Sequence, residues 1–323
     1  MHTTLKRALA LTAGLALAIG LSACSSDSGS PKSSASGSAK PSASGDAAAM
    51  EKGTFAKDDK TIVFAVLPDK DDSEQNAKPI AEWIGKITGK KVDLFEATDY
   101  TAVIQGLAAG QIDVAQISAF TYYQSQNAGA EIEPIGAQIT KEGKPAGYYS
   151  VALKHPEAGA SALKDFADQP VCFVNPTSTS GRAIPASQLK KAGVTVSKEN
   201  TVFGEKHDLT AAKIADGTDC KVGFAQDSDA DPLIKDGKLQ EIERFLVPGA
   251  PIVAQAGLPK DVKKELSDAL VGSTQKSITD AGIELNDFLK ESWFGFEGVD
   301  DKYYDTIRTV CEQVADEVEA CRA

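Results

Sequence analysis

This sequence has little of what most catalysis or nucleic-acid binding requires. Its 323 residues hold three histidines, two tryptophans and two methionines. No CxxC pair occurs, so a zinc ribbon or finger is not expected. GxSxG, HExxH and a complete GxxxxGK[ST] are all missing, which removes the common motifs for serine hydrolysis, zinc proteolysis and P-loop chemistry. Ser161 and Lys164 match SxxK, but the KTG and SDN that accompany that motif are absent. Positive charge is scarce too, with 34 Lys and Arg against 46 Asp and Glu. No basic face is visible, and nucleic acid is excluded as a partner.

What is present begins with an export leader. Lys6 and Arg7 precede an apolar run from Ala8 to Leu21, shorter than the roughly 20 apolar residues needed to cross a bilayer. Leu21-Ser22-Ala23-Cys24 resembles the bacterial lipobox, which implies lipidation of Cys24 and attachment to the outer side of the cell membrane. Removing residues 1–23 discards Lys6 and Arg7 and no acid, leaving a net charge of −14. Residues 25–53, rich in Ser, Ala, Gly and Pro, read as a disordered tether.

Beyond the tether, short apolar strands alternate with amphipathic helices. Thr61–Leu67, Val92–Phe95 and Ile112–Gln116 read as strands, with helices over 79–88, 99–109 and 119–128. The alternation restarts at Gly147–Leu153 and continues through Val171–Val174 and Cys220–Ala225. Residues 259–281 and 300–320 read as helices. The pattern predicts an α/β protein of two lobes, each a mainly parallel sheet flanked by helices, with a cleft between them. One lobe takes residues 54–149 plus 251–323, and the other takes 150–250. Cys172, Cys220, Cys311 and Cys321 remain in the exported chain, where an even count suggests two disulfides. Three pairings are open; Cys172–Cys220 with Cys311–Cys321 keeps each bridge within one candidate lobe.

Asn175-Pro176-Thr177-Ser178-Thr179-Ser180-Gly181-Arg182 lies between a strand and a helix. Three small hydroxyls and the unpaired amides of a first helical turn suit a tetrahedral oxyanion, although a simple capped turn uses the same residues. His207, beside Asp208 at a helix start, can donate to an anion, more strongly when protonated. Tyr100 and Tyr148 carry further phenolic donors. Asp227-Ser228-Asp229-Ala230-Asp231 has Pro232 where a calcium loop needs glycine, so it reads as a capped turn.

In this order, these segments resemble the substrate-binding proteins of phosphonate ABC transporters. The resemblance runs from Thr61 to Ala256. It rests on Asp99-Tyr100 with Ile104-Gln105-Gly106, Ile112-Asp113-Val114-Ala115, Gly147-Tyr148-Tyr149-Ser150, the Ser178–Gly181 loop with Pro185, His207, and Pro248-Gly249-Ala250-Pro251. It implies a two-lobed periplasmic-binding-protein fold whose ligand is held by Tyr100, Tyr148, Ser178, Thr179, Ser180 and His207. Arg182 and Asp227 are candidates for contacting the ligand's side group, with solvent the other setting for Arg182.

The family places an acid against an aminophosphonate's amine where this chain has Ala250, so 2-aminoethylphosphonate is not the expected ligand. The expectation is a monomeric, non-enzymatic lipoprotein without cofactor or metal. It delivers a phosphonate, phosphite or phosphate ester to a membrane permease. The rival readings are a binder of another oxyanion or sulfonate, a secreted phosphonate-processing hydrolase, and an adhesive surface lipoprotein.

Overall fold

Alternating apolar side chains place Ile62 and Phe64 of the first strand against one helical layer and Ala65 against another. The computed structural model describes residues 51–322. The leader, the lipidation candidate Cys24 and the tether up to residue 50 lie outside the described residues.

The first lobe runs β1 (Thr61–Val66), α1 (Ser73–Thr88), β2 (Lys91–Leu94), α2 (Tyr100–Ala108), β3 (Val114–Gln116), α3 (Ala119–Asn127) and β4 (Ile132–Gln138). The chain then builds the second: β5 (Tyr148–Lys154), β6 (Val171–Phe173), α4 (Ile184–Lys191), β7 (Thr201–Phe203), α5 (His207–Asp216), β8 (Val222–Gln226), α6 (Asp227–Lys235) and β9 (Gln240–Val247). It returns through β10 (Pro251–Gln255), α7 (Lys260–Leu270), α8 (Gln275–Asp280), α9 (Asp287–Ser292), β11 (Phe296–Glu297) and α10 (Asp305–Val314). The first sheet has the order β11-β4-β10-β3-β1-β2, and the second β7-β6-β8-β5-β9.

The two-lobed α/β architecture is the one the alternation implies, but neither sheet is mainly parallel. Among the described residues four strand pairings are parallel and five antiparallel. The antiparallel ones all involve β5 or β10, which carry the chain into and out of the second lobe, or the edge strand β11. A strand that enters a sheet from the neighbouring lobe runs against the strands laid down by local βαβ turns.

Three helix boundaries also differ from the sequence reading, one of them in residues 300–320, where the α-helix covers only Asp305–Val314. Helix α1 starts at Ser73, ahead of Pro79. A proline there leaves the Gln75 carbonyl without its helical donor, and Asn286 Nδ2 lies 3.4 Å from that oxygen. The stretch from 259 to 281 is two helices, because Gly272 turns left-handed (φ 78°) and Val271 bridges to Phe296.

Cys172 bonds Cys220 and Cys311 bonds Cys321, with Cα separations of 5.9 and 4.9 Å. The first bridge lies on the face of the second sheet that packs α5, while Val171 and Phe173 point to the opposite core. Helix α10 packs against both α3 and α4.

Candidate functional site

The loop after β6 is shaped by its own side chains. Asn175 Oδ1 accepts from the Thr177 N–H and hydroxyl at 3.0 and 2.7 Å, and Ser178 Oγ caps the next turn by accepting from Gly181 N at 3.0 Å. Residues Thr179–Ala183 form a π turn leading into α4. The N–H groups of Thr179 and Ser180, in its first turn, have no acceptor within the helix. Gly181 is required by close approach: a Cβ there would stand 2.3 Å from Val174 Cβ. Ser150 Oγ, on β5, donates to Ser180 O at 2.6 Å.

His207 opens α5, and its ring is buried. Its Nδ1 accepts the Gln226 N–H at 3.0 Å, which assigns the remaining proton to Nε2. Nε2 lies 3.4 Å from Ser178 Oγ and 3.5 Å from Ser180 Oγ. Burial pushes His207 down to about 4, so the ring is a neutral donor at neutral pH rather than a cation. The stronger, protonated form of that donor is therefore not the one present at neutral pH. The same proton on Nε2 prevents His207 from acting as base toward Ser178, since the nitrogen facing that hydroxyl already carries hydrogen.

Tyr100 starts α2 behind the Asp99 cap, whose Oδ1 accepts from Ala102 N at 2.9 Å. Its phenol lies near Ser178, and that of Tyr148 near Ser180 and Thr179. Burial holds both phenols protonated, well above their usual range. Thr179 Oγ1 accepts from Phe120 N across the cleft at 2.7 Å, leaving its own proton to donate. The six expected residues thus form one buried cluster. Tyr100, Tyr148, Ser178 and His207 line a cavity of about 530 Å³ between the lobes.

The two side-group candidates separate. Asp227 lines the cavity, 3.3 Å from Lys141 Nζ, with Oδ1 accepting from Tyr149 N at 3.2 Å. Arg182 is not among the residues lining the cavity. It is half-buried, its guanidinium stacked 4.5 Å over Phe173 and donating to Glu317 O at 3.0 Å. Residues Asp227–Lys235 are helix α6 rather than a turn, because their acids fill its first turn.

Asp69, Lys70, Gln116 and Phe288 also line the cavity and escaped the sequence reading. Asp69 and Lys70 follow β1, and Gln116 ends β3. The carboxyl ends of parallel strands are where an open α/β sheet binds ligands, and that signal was available. Lys70 pairs with Asp229 at 3.0 Å across the cleft. The Lys70 charge is thereby offset, and Tyr100, Tyr148, Ser178 and His207 face the cavity as neutral donors.

The model of the ABC transporter, phosphonate, periplasmic substrate-binding protein family matches residues 64–304. The chain belongs to this family. The phosphate-import protein PhnD of Mycolicibacterium smegmatis is 32% identical over 280 residues, covering 80% of this chain and 87% of that protein. The phosphonates-binding periplasmic protein of Escherichia coli is 26% identical over 231 residues, 65% of each chain. The structure of PhnD1 from Prochlorococcus marinus in complex with methylphosphonate superposes with a TM-score of 0.66 at 18% identity, covering 79% of this chain and 98% of that one. Family membership makes this chain the extracytoplasmic binding component of an importer, built on the two-lobed fold.

Proposed function

We propose that this protein is a lipoprotein, anchored through Cys24, that binds one phosphorus oxyanion between its lobes and hands it unaltered to an ABC permease. Phosphate, phosphite, methylphosphonate or a small phosphate ester fits the reading. The observation that carries it is the meeting of Ser178 Oγ and His207 Nε2 at 3.4 Å, from two helix beginnings 29 residues apart, beside two buried phenols. Neutral donors spread a ligand's charge over many hydrogen bonds, and exclusion of water by the closed lobes strengthens each one. Helix N-termini add their dipoles.

Two positions in the chain bear on whether an amine-bearing ligand is held. Ala250 stands where the family's aminophosphonate binders carry an acid. The Asp227 carboxylate is engaged by Lys141 and the Tyr149 N–H. An ammonium group there would forgo a charge-assisted bond.

Calorimetry with phosphate, phosphite, methylphosphonate and 2-aminoethylphosphonate tests the reading. At least one of the first three is expected to bind at micromolar concentration or below, with 2-aminoethylphosphonate weaker. No heat from any phosphorus ligand at millimolar concentration would refute it.

A further inference from the structure

One group at the oxyanion point is unlike the rest. Asp69 stands in the turn after β1, across the cleft from Ser178, and lines the same cavity. Its backbone carbonyl accepts the His207 N–H at 2.8 Å, which fixes it against the first turn of α5. Its Oδ1 accepts from Ser73 Oγ at 3.1 Å. The adjacent Lys70 is matched to Asp229 at 3.0 Å, and among the described residues no ion pair reaches Asp69. The groups that face its carboxyl are Lys70 and Ser73 from its own turn and α1, Tyr100 from α2, Tyr148 from β5 and Asp229 from α6.

We propose that Asp69 is the specificity group of this pocket, sharing one proton with the bound anion, so that only oxyanions able to hold a proton near neutral pH are accepted. This rests on the reading of the cluster as an oxyanion site. Tyr100, Tyr148, Ser178 and His207 donate there, whereas an ionised carboxylate can only accept. Against a fully ionised ligand it would set like charge beside like charge where water is scarce, and such a pair holds a proton between its members. Phosphates, phosphites and alkylphosphonates have a P–OH that ionises near neutral pH and can supply that proton or take it up from solvent. Sulfate and sulfonates have none. Burial already raises the Asp69 carboxyl to about 6, despite the opposing pull of Lys70.

Calorimetry at pH 8 with phosphate, sulfate, methylphosphonate and methanesulfonate, in two buffers of different protonation heat, reads both consequences. The wild type is expected to favour each phosphorus anion over its sulfur counterpart on the order of 100-fold; the methylphosphonate dianion, which has no P–OH, is expected to bind with uptake of about one proton, whereas hydrogen phosphate brings its own proton and needs none. Asp69→Asn keeps the shape and supplies an N–H donor. It is expected to narrow that preference at least about 10-fold and to abolish the proton uptake.

Phosphorus and sulfur anions binding alike, methylphosphonate dianion binding without proton uptake, or an Asp69→Asn protein with unchanged preference and uptake would each overturn the inference and leave the oxyanion site standing. A wild type that binds none of the four would overturn the site itself. The wild-type proton count decides the matter even if the variant does not fold.

Discussion

The His207 imidazole earns its place as a donor by being neutral. The Gln226 N–H occupies Nδ1, burial keeps the second proton off, and Nε2–H is left to point at Ser178 and Ser180. His207→Ala should weaken binding of the preferred phosphorus anion by about 1–3 kcal/mol, the scale for losing a donor to a charged acceptor. Thr179→Ala should cost a similar amount, because it also strands the Phe120 N–H. Titration calorimetry gives both, and unchanged affinity in the two variants would remove them from the site.

Asp69 predicts a separate effect on stability. Its folded value of about 6 lies above the reference of 3.8, so its proton stabilises the fold at low pH, and this is lost as pH rises through about 6. Asp69→Asn should therefore be more stable than the wild type at pH 8 by roughly 1–3 kcal/mol. The gain should shrink as pH falls below about 6 towards 4. Equal melting temperatures at pH 8 would contradict this. The donors were legible in the sequence because hydroxyls cluster beside helix starts. Asp69 was not, since an isolated acid in a polar loop looks solvated until the opposite lobe covers it. The setting of Arg182, left open between ligand and solvent, depends on contacts equally remote in sequence: Phe173 and Phe203, which hold its guanidinium, lie on neighbouring strands.

At the scale of elements, the turn between β6 and α4 sets the geometry of the site. Gly181 lets that turn lie on Val174, and Ser178 can cap it only because the approach is this close. Gly181→Ala should push the turn off the strand and weaken oxyanion binding at least about 10-fold, with a stability loss of about 1–3 kcal/mol from overpacking. Calorimetry together with thermal unfolding measures both, and full affinity in this variant would show that the loop is not the receptor. Helix starts at Asp99, Ser178 and His207 could be read from capping chemistry. The break at Gly272 could not, because the bridge from Val271 to Phe296 joins residues 25 positions apart. Helix α1 likewise runs through Pro79 because Asn286 reaches the freed carbonyl, a contact that no local window contains.

For the whole molecule, the cleft exists because the chain leaves the first lobe after β4, builds the second, and returns by β10. The restart of the strand–helix alternation at Gly147 announced two lobes. Strand direction in the sheets did not follow from it, because direction depends on how the crossing strands enter. Contacts then join the lobes directly over the oxyanion point: Lys70 to Asp229, Asp69 O to His207 N, and Phe120 N to Thr179 Oγ1. Closure and ligand binding therefore use the same residues. A crystal structure grown with methylphosphonate tests this arrangement most directly. The account predicts phosphonate oxygens within hydrogen-bond reach of Ser178, His207 Nε2, Tyr100 and Tyr148, with the lobes closed as here. A ligand bound elsewhere in the cavity, with the Ser178–His207 contact intact and no oxygen near it, would contradict it.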